Sequence, residues 1–503
     1  MQRVLRAEKN DWLAVAAIAV LAAATALLVP AEHLLWVWIG VAGLIVVLMW
    51  SRFGDPLTLV LAWFVTSACF SYFFWRAPLP GGLLHVTVDR LFMLVVVTVM
   101  VLSLVVGRVS WRPLPAVVKL AVVMAGYFSV SLLMSGFASI ADVTPHFRLV
   151  GGYYFPIIGM VIAYLAVRDE RQAAKLAWFF LAFGLYLTVT AWAEYFGVWE
   201  LVFPRYIADQ ELGIHWGRAR GPFLVSPSLG VTLVFCFFSN LYLAGRMHGP
   251  ARLLVYAADL LMVPAIFFTL TRSVWLAMVV CLVIYIAFNR RVRTKAGVFA
   301  GLGAVAVVLI AVLWPNLTSR DRATGGVSDP YPIYARVGLA KISMKLFSQQ
   351  PVFGVGFGHF RDAAVQRGVD PASVYMRFAS QQMEHNNFLS VLTETGVVGL
   401  VLYVLVLIGL LRVSLRVYRR LSPTGRGWMT RDFVVLYWIM FANYLIDAMF
   451  RETSVDPFNN SLFFVLSGMV LGMDFLLAGP AATWSAARTD RADAEFAADA
   501  SLR

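Results

Sequence analysis

The sequence predicts an all-α polytopic membrane protein of about fourteen transmembrane helices, with one large external loop between helices 11 and 12. Three observations predict it. Of the 503 residues, 60% are hydrophobic and only 14% charged, and the mean hydropathy is +0.77, more apolar surface than a water-soluble core absorbs. Apolar runs of roughly 17–25 residues, the length that crosses a hydrocarbon core as a helix, recur along the chain. The cations behind the net charge of +13 fall in short clusters between these runs. That arrangement orients a membrane protein and calls for no nucleic-acid partner.

Taken in order, the N-terminus MQRVLRAEKNDW is basic and leads into a first apolar run. No convincing small-residue cleavage site follows, so it reads as a retained span. Spans then start near Trp12, Leu34, Leu57, Leu91, Ala116, Gly152, Leu176, Pro222, Leu253, Ser273, Ala296, Asn387, Phe433 and Phe458. The division at Thr269–Leu270–Thr271–Arg272 leaves almost no loop. The chain divides into N-terminal spans (1–150), central spans with arginine-bearing external ends (151–314), the large loop (315–386), C-terminal spans (387–478) and an Ala/Asp/Arg-rich tail (479–503) expected to be disordered. Cys69, Cys236 and Cys281 all lie inside apolar runs, which predicts neither a disulfide framework nor a thiolate metal site.

Charge sets the orientation. A cytoplasmic N-terminus puts Arg3/Arg6/Lys9, Arg108/Arg112, Arg168/Arg171/Lys175, Arg246/Arg252, Arg290/Arg291/Arg293/Lys295 and Arg412 through Arg431 inside. The opposite ends then carry isolated cations: Arg76, Arg90, Arg148, Arg205, Arg218, Arg220, Arg272 and Arg451. Both termini come out cytoplasmic.

The loop from Pro315 to about Asn386 has its own pattern. RVGLAKISMKLFSQQ places Val337, Ala340, Met344 and Phe347 at helical spacing, with Lys341 and Lys345 on another face, as in an amphipathic helix at a membrane surface. PVFGVGFGHF follows as a tight glycine-rich turn. Without a preceding strand or a Gly-Lys-Ser/Thr ending it does not read as a nucleotide-binding loop.

Ionisable groups within apolar runs are scarce. Asp259 is the clearest, and reads as a carboxylate hydrogen-bonded to a neighbouring helix. The external span ends instead collect Arg218, Arg220, Arg272, Arg336, His385 and Asp447. Any one arginine could simply snorkel to lipid phosphates; their convergence on one face favours a site. Guanidinium forks bind phosphate oxygens bidentately, and a histidine near neutral pKa can take a proton from a hydroxyl. Together they suit attack by a hydroxyl on a carbon bearing a lipid-linked diphosphate. No HExxH, CxxC or acidic cluster supplies a metal site, so the expectation is no metal and no cofactor, with arginines stabilising the leaving group.

The stretch HNNFLSVLTETGVVG holds His385, Asn386, nine residues, Gly396, two residues and Gly399. It resembles the motif of the bacterial O-antigen ligase and O-antigen polymerase superfamily. RVGLAKISMKLFSQQPVFGVGFGHF is similar to that family's loop segment, and RGPFLVSPSLG and LTRSVWLA to its other arginine-bearing stretches. The resemblance spans residues 200–475. It implies transfer of a glycan from undecaprenyl diphosphate to an acceptor hydroxyl on the periplasmic face of the bacterial inner membrane. The acceptor would be lipid A-core or a growing polysaccharide. By position, His385 is the implied base, Arg220, Arg272 and Arg336 the diphosphate contacts, and Asp447 a carboxylate found after the next span; Arg218 and Asn386 join them as candidate substrate contacts. Ala340 stands where ligases often have leucine, SPSL replaces the commoner Pro-Asn, and the span count exceeds that usual for ligases.

Alternatives remain open on the residues. His385 and Asn386 could simply start a helix, since Asn is a good N-cap. Gly396 and Gly399 are expected to let helices approach, His359 to be structural, and His215, beside Trp216, to line a sugar site. Ligase and polymerase share these motifs. A transporter or flippase would need broken helices near the midplane in repeated halves, and Pro264 has no counterpart in another span. A structural envelope protein would leave the arginine–histidine cluster without a role.

Overall fold

Apolar runs become helices where capping and turn residues mark their ends. A computed structural model describes residues 55–78, 85–139, 144–288, 331–370, 372–379, 382, 384–425 and 427–478. Helix α1 (Pro56–Cys69) starts at Asp55, whose side chain accepts from the Leu57 amide, with proline in the first turn. Two three-residue strands, Arg76–Pro78 and His85–Thr87, pair antiparallel. Then come α2 (Val88–Val105), α3 (Ala116–Ser135), α4 (Pro145–Ala166), α5 (Arg171–Phe196), α6 (Ser226–Ala244), α7 (Gly249–Phe268) and α8 (Arg272–Phe288). Helix α9 (Tyr331–Gln349) belongs to the loop region. Helices α10 (Asn387–Arg420), α11 (Arg431–Phe450) and α12 (Pro457–Ala478) close the chain.

Among the described residues, nine helices are long and apolar enough to cross a membrane, and α1 and α8 are shorter apolar helices. The spans expected near Trp12, Leu34 and Ala296, the tail 479–503 and the first part of the external loop lie outside the described residues. The span expected from Gly152 begins seven residues earlier, at Pro145, and passes through a π-turn at Val150–Tyr154. There Gly152 lets the Ser454 backbone approach so closely that a Cβ would lie 2.3 Å from its carbonyl oxygen. The span expected from Pro222 begins at Ser226, because Gly221–Phe223 forms a 3-10 turn and Leu224 takes a left-handed conformation. Helix α7 runs unbroken through Pro264. The tight division after it is real: α7 ends at Phe268, Leu270 has φ +46°, and α8 opens at Arg272.

Small residues set the tightest packing. Helices α4 and α12 meet where Gly468 faces the Met160 carbonyl and Gly159 faces Val465, without room for added methyl groups. Hydrogen bonds gather the interhelical turns into two ends. At one, Arg112 donates to the Tyr164 carbonyl (3.2 Å), the Trp428 amide to Glu170 (2.9 Å), and Arg246 to the Gly427 carbonyl and Thr430 hydroxyl (3.0 and 2.8 Å). Among the described residues, this end holds clustered cations such as Arg112, Arg246 and Arg431, and the other holds α9 with Arg148, Arg220 and Arg451.

The loop region has a core of its own. Leu339, Ile342 and Leu346 of α9 pack on Phe360, Ala363, Ala364, Met376 and Ala379. The apolar stripe expected to lie along a membrane surface stays outside this core. Val337 and Met344 are exposed and Ala340 and Phe347 half-buried, because two short helical turns (Phe360–Ala363 and Val374–Ala379) cover the adjacent stripe.

Candidate active site

The motif stretch is built around a broken helix. Gly396 sits at φ 68° and ψ −170° inside α10, separating Asn387–Thr395 from the rest. A break frees backbone groups that must be satisfied. The glycine-rich turn supplies the partners: Val355 and Gly356 amides donate to the Thr393 and Glu394 carbonyls (2.9 Å each), and the Val397 amide donates to the Pro351 carbonyl (2.9 Å). A Cβ at Gly396 would lie 2.1 Å from the Val352 carbonyl oxygen. Gly396 thus admits loop backbone, not a neighbouring helix as expected. Gly399 does face a neighbour, Phe128 of α3. His359 is structural as expected: one ring nitrogen contacts Asp362 (3.0 Å), the other the Gly136 carbonyl (2.9 Å).

The cap belongs to Asn386, whose Oδ1 accepts from the Phe388 and Leu389 amides (2.9 and 3.0 Å). Its Nδ2 donates to the Met449 carbonyl at the end of α11 (3.2 Å). His385 stands one residue earlier, exposed on a bend. The Arg336 guanidinium lies 5.2 Å from the Phe450 ring. Arg336 and Asn386 therefore touch adjacent residues at the end of α11, Phe450 and Met449.

The other arginines reach this end through linked contacts. The Ala219 amide, between Arg218 and Arg220, donates to the Phe268 carbonyl (3.0 Å), which ties that stretch to the turn before Arg272. Val274 packs against Gly230 of α6, and Ser228, half a turn away, accepts from Arg451 (2.6 Å). Arg218 and Arg272 are half-buried and Arg336 is exposed.

Arg220 and Asp447 are placed differently from a direct substrate contact. The Arg220 side chain is wholly buried. Its Nε pairs with Glu194 (3.2 Å), and its terminal nitrogens donate to the Leu212, Ile207 and Asp209 carbonyls (2.7, 3.0 and 3.3 Å). It lies 4.6 Å from the Trp216 ring, which stacks on Trp199, with His215 alongside in a left-handed conformation. Asp447 is buried and held by both Nε and Nη2 of Arg451 (3.0 and 2.5 Å); Nη2 also reaches Asp456 (2.8 Å). Burial alone would raise the Asp456 carboxyl, but Arg451 and the Asn459 side chain hold it below the usual range. Asp259 accepts from Asn240 of the neighbouring helix (2.8 Å), as expected.

Beneath His385 lies a network that sequence reasoning missed. Arg148 of α4, 6% exposed, grips Glu394 with both terminal nitrogens (2.8 and 2.9 Å), donates to Ser454 (3.1 Å) and pairs with Glu452. Its guanidinium lies 5.0 Å from the Phe357 ring of the glycine-rich turn. One cation thus joins α4, both sides of the docked turn and the segment after α11. Burial raises the Glu452 carboxyl despite Arg148 beside it. The signal was present: Glu394 lies inside the motif and Glu452 inside FRE, and a carboxylate buried among apolar residues requires a cation.

Comparison with known proteins agrees with this architecture. Residues 257–404 match the O-antigen ligase family model. The chain carries an O-antigen ligase domain. The match supports the O-antigen ligase and polymerase superfamily, and the long apolar helices are those of a membrane protein. The domain takes in Arg272, Arg336, His385, Asn386, Gly396 and Gly399; Arg148, Arg218, Arg220 and Asp447 fall outside the matched segment. A search of the curated proteins returns no match. The O-antigen ligase domain implies, in general terms, lipid-linked glycan substrates and a polysaccharide acceptor.

Proposed function

We propose that the protein is a membrane glycosyltransferase that moves a glycan from undecaprenyl diphosphate to an acceptor hydroxyl on the periplasmic face of the inner membrane. The observation that carries this reading is the position of His385. Asn386 alone caps the helix, so His385 is not needed there; it is exposed, one residue before the Asn386 that bonds Met449, and Arg336 lies over the adjacent Phe450.

In this reaction His385 takes the acceptor hydroxyl proton as the oxygen attacks the sugar carbon. The bond from that carbon to the diphosphate breaks, and the charge developing on the diphosphate oxygens is met by Arg272 and Arg336, with Arg218 beside them. Arg220 and Asp447 support the site from behind. Arg220 holds the 207–212 stretch, and Asp447 orients Arg451 against Ser228.

The test is incubation of the purified protein with an undecaprenyl-diphosphate glycan plus lipid A-core or further lipid-linked glycan. Glycan joined to lipid A-core identifies a ligase, and a longer lipid-linked glycan a polymerase. No transfer to either overturns the proposal.

A further inference from the structure

Three carboxyls, Glu384, Glu394 and Glu452, are buried near one another. Arg148 bonds Glu394 and Glu452 directly. Glu384, 3% exposed and next to His385 in the chain, is not among the carboxyls Arg148 bonds. Its Oε1 accepts from the Ser343 hydroxyl of α9 at 2.5 Å, the Ser390 side chain acts on the carboxyl more weakly, and its Oε2 is buried without a close hydrogen bond.

An ionised carboxylate there would leave one charged oxygen buried and unsatisfied, which is costly. A neutral acid needs one acceptor for its proton, and the Ser343 oxygen supplies it once the hydroxyl, which donates to an ionised Glu384, turns to accept. The charged groups on the packed elements favour the same form. Glu394 of α10 and Glu452 of the 451–456 turn repel a further negative charge, and the charge of Arg148 of α4 is already engaged by them. Lys341 and Lys345 of α9 lie on its exposed face, away from Ser343. Burial, then the negative charge of Glu394, push the Glu384 carboxyl well above the usual range, with Glu452 adding to this and hydrogen bonds from Ser343 and Ser390 opposing it.

We infer that Glu384 is a positioning residue, a neutral-acid latch that joins the segment carrying His385 to the helix carrying Arg336. Ser343 lies two helical turns after Arg336 on α9, and Asn386 fixes the other side on Met449. The Glu384–Ser343 contact therefore bears directly on the spacing of the implied base and the implied diphosphate contact. Its catalytic consequence rests on the proposed transfer reaction; the latch itself does not.

The folded protein keeps a proton on Glu384 that the unfolded chain releases above the ordinary carboxyl range. The stability it contributes is full at low pH and lost as pH rises toward the raised folded value. Glu384→Gln keeps a neutral donor for Ser343 at every pH. The experiment compares wild type, Glu384→Gln, Glu384→Ala, Ser343→Ala and the Ser343→Ala/Glu384→Ala double variant. Thermal unfolding in detergent is followed from pH 5 to 9, alongside glycan transfer. The expected result is a Tm difference, Gln variant minus wild type, that grows with pH. Gln should keep transfer within about twofold at neutral pH, Ala should lose about tenfold, mostly as a higher donor KM, and the two alanine variants should be non-additive. A Tm difference flat with pH, additive alanine effects, or a Gln variant as impaired as Ala overturns the latch. If wild type transfers no glycan, the proposed function fails, while the Tm series still decides the latch.

Discussion

Replacing Arg148 with methionine removes the one guanidinium that Glu394 and Glu452 share and leaves a side chain of similar length. The arginine is 6% exposed and the two carboxylates 2% and 5%, so water replaces little of the lost interaction. Removing one partner of a buried ion pair costs about 3–5 kcal/mol. Two carboxylates are stranded here, and the bond to Ser454 is lost with them, so the upper part of that range is expected. Equilibrium unfolding in mixed micelles at neutral pH reads it. Adding Glu394→Gln removes one stranded charge and should recover about 2 kcal/mol, a coupling that independent sites do not show. Turnover should fall with stability, because the network joins α4 to the segment between His385 and the Gly396 break. A loss below about 1 kcal/mol for Arg148→Met, or strict additivity with Glu394→Gln, would refute the reasoning.

Three further outcomes follow from the site. His385→Asn should leave unfolding unchanged, since Asn386 holds the cap, while transfer falls by about 10²–10⁴-fold with donor binding retained; in wild type, transfer should decline with acid, because only neutral imidazole accepts a proton. An active Asn variant returns His385 to a structural role. Arg272→Lys keeps the charge but loses the planar fork, so transfer should stay near the Arg272→Ala level; recovery by Lys points to a purely electrostatic or snorkelling role. For orientation, cysteines at the exposed positions Lys345 and Ser422 should react with an impermeant reagent from outside and only after permeabilisation, respectively, and reversed labelling would move the site to the wrong face for a periplasmic acceptor.

Much of the architecture was legible in the residues. Membrane helices satisfy their own backbone and show themselves as long apolar runs, so span starts at Ala116, Asn387, Phe433 and Phe458 fall within two residues of the helices. The cap at Asn386 was legible for the same local reason, as was the tight turn before Arg272. Long-range partners were not. The face of α9 that packs on protein was not legible, because Val337 and Leu339 head equally plausible apolar stripes, and only the short helical turns at 360–368 and 374–379 select the one that joins the loop core. Gly396 looked like a site of helix approach, yet the docked turn at Pro351–Gly356 makes it a break. Arg148, Glu394 and Glu452 stand far apart in sequence, and nothing local to any of them names its partner. The arginines divide for that reason: Arg220 is enclosed by Glu194 and three carbonyls, whereas Arg336 is left exposed over the Phe450 ring. Composition and periodicity by themselves determined the helices and their chemistry-bearing ends, because those depend on local hydrophobicity and backbone satisfaction. Which charged groups are buried together and which stay open to a substrate was decided only by tertiary packing, because the low dielectric that forces a charge to find its partner exists only once the helices have come together.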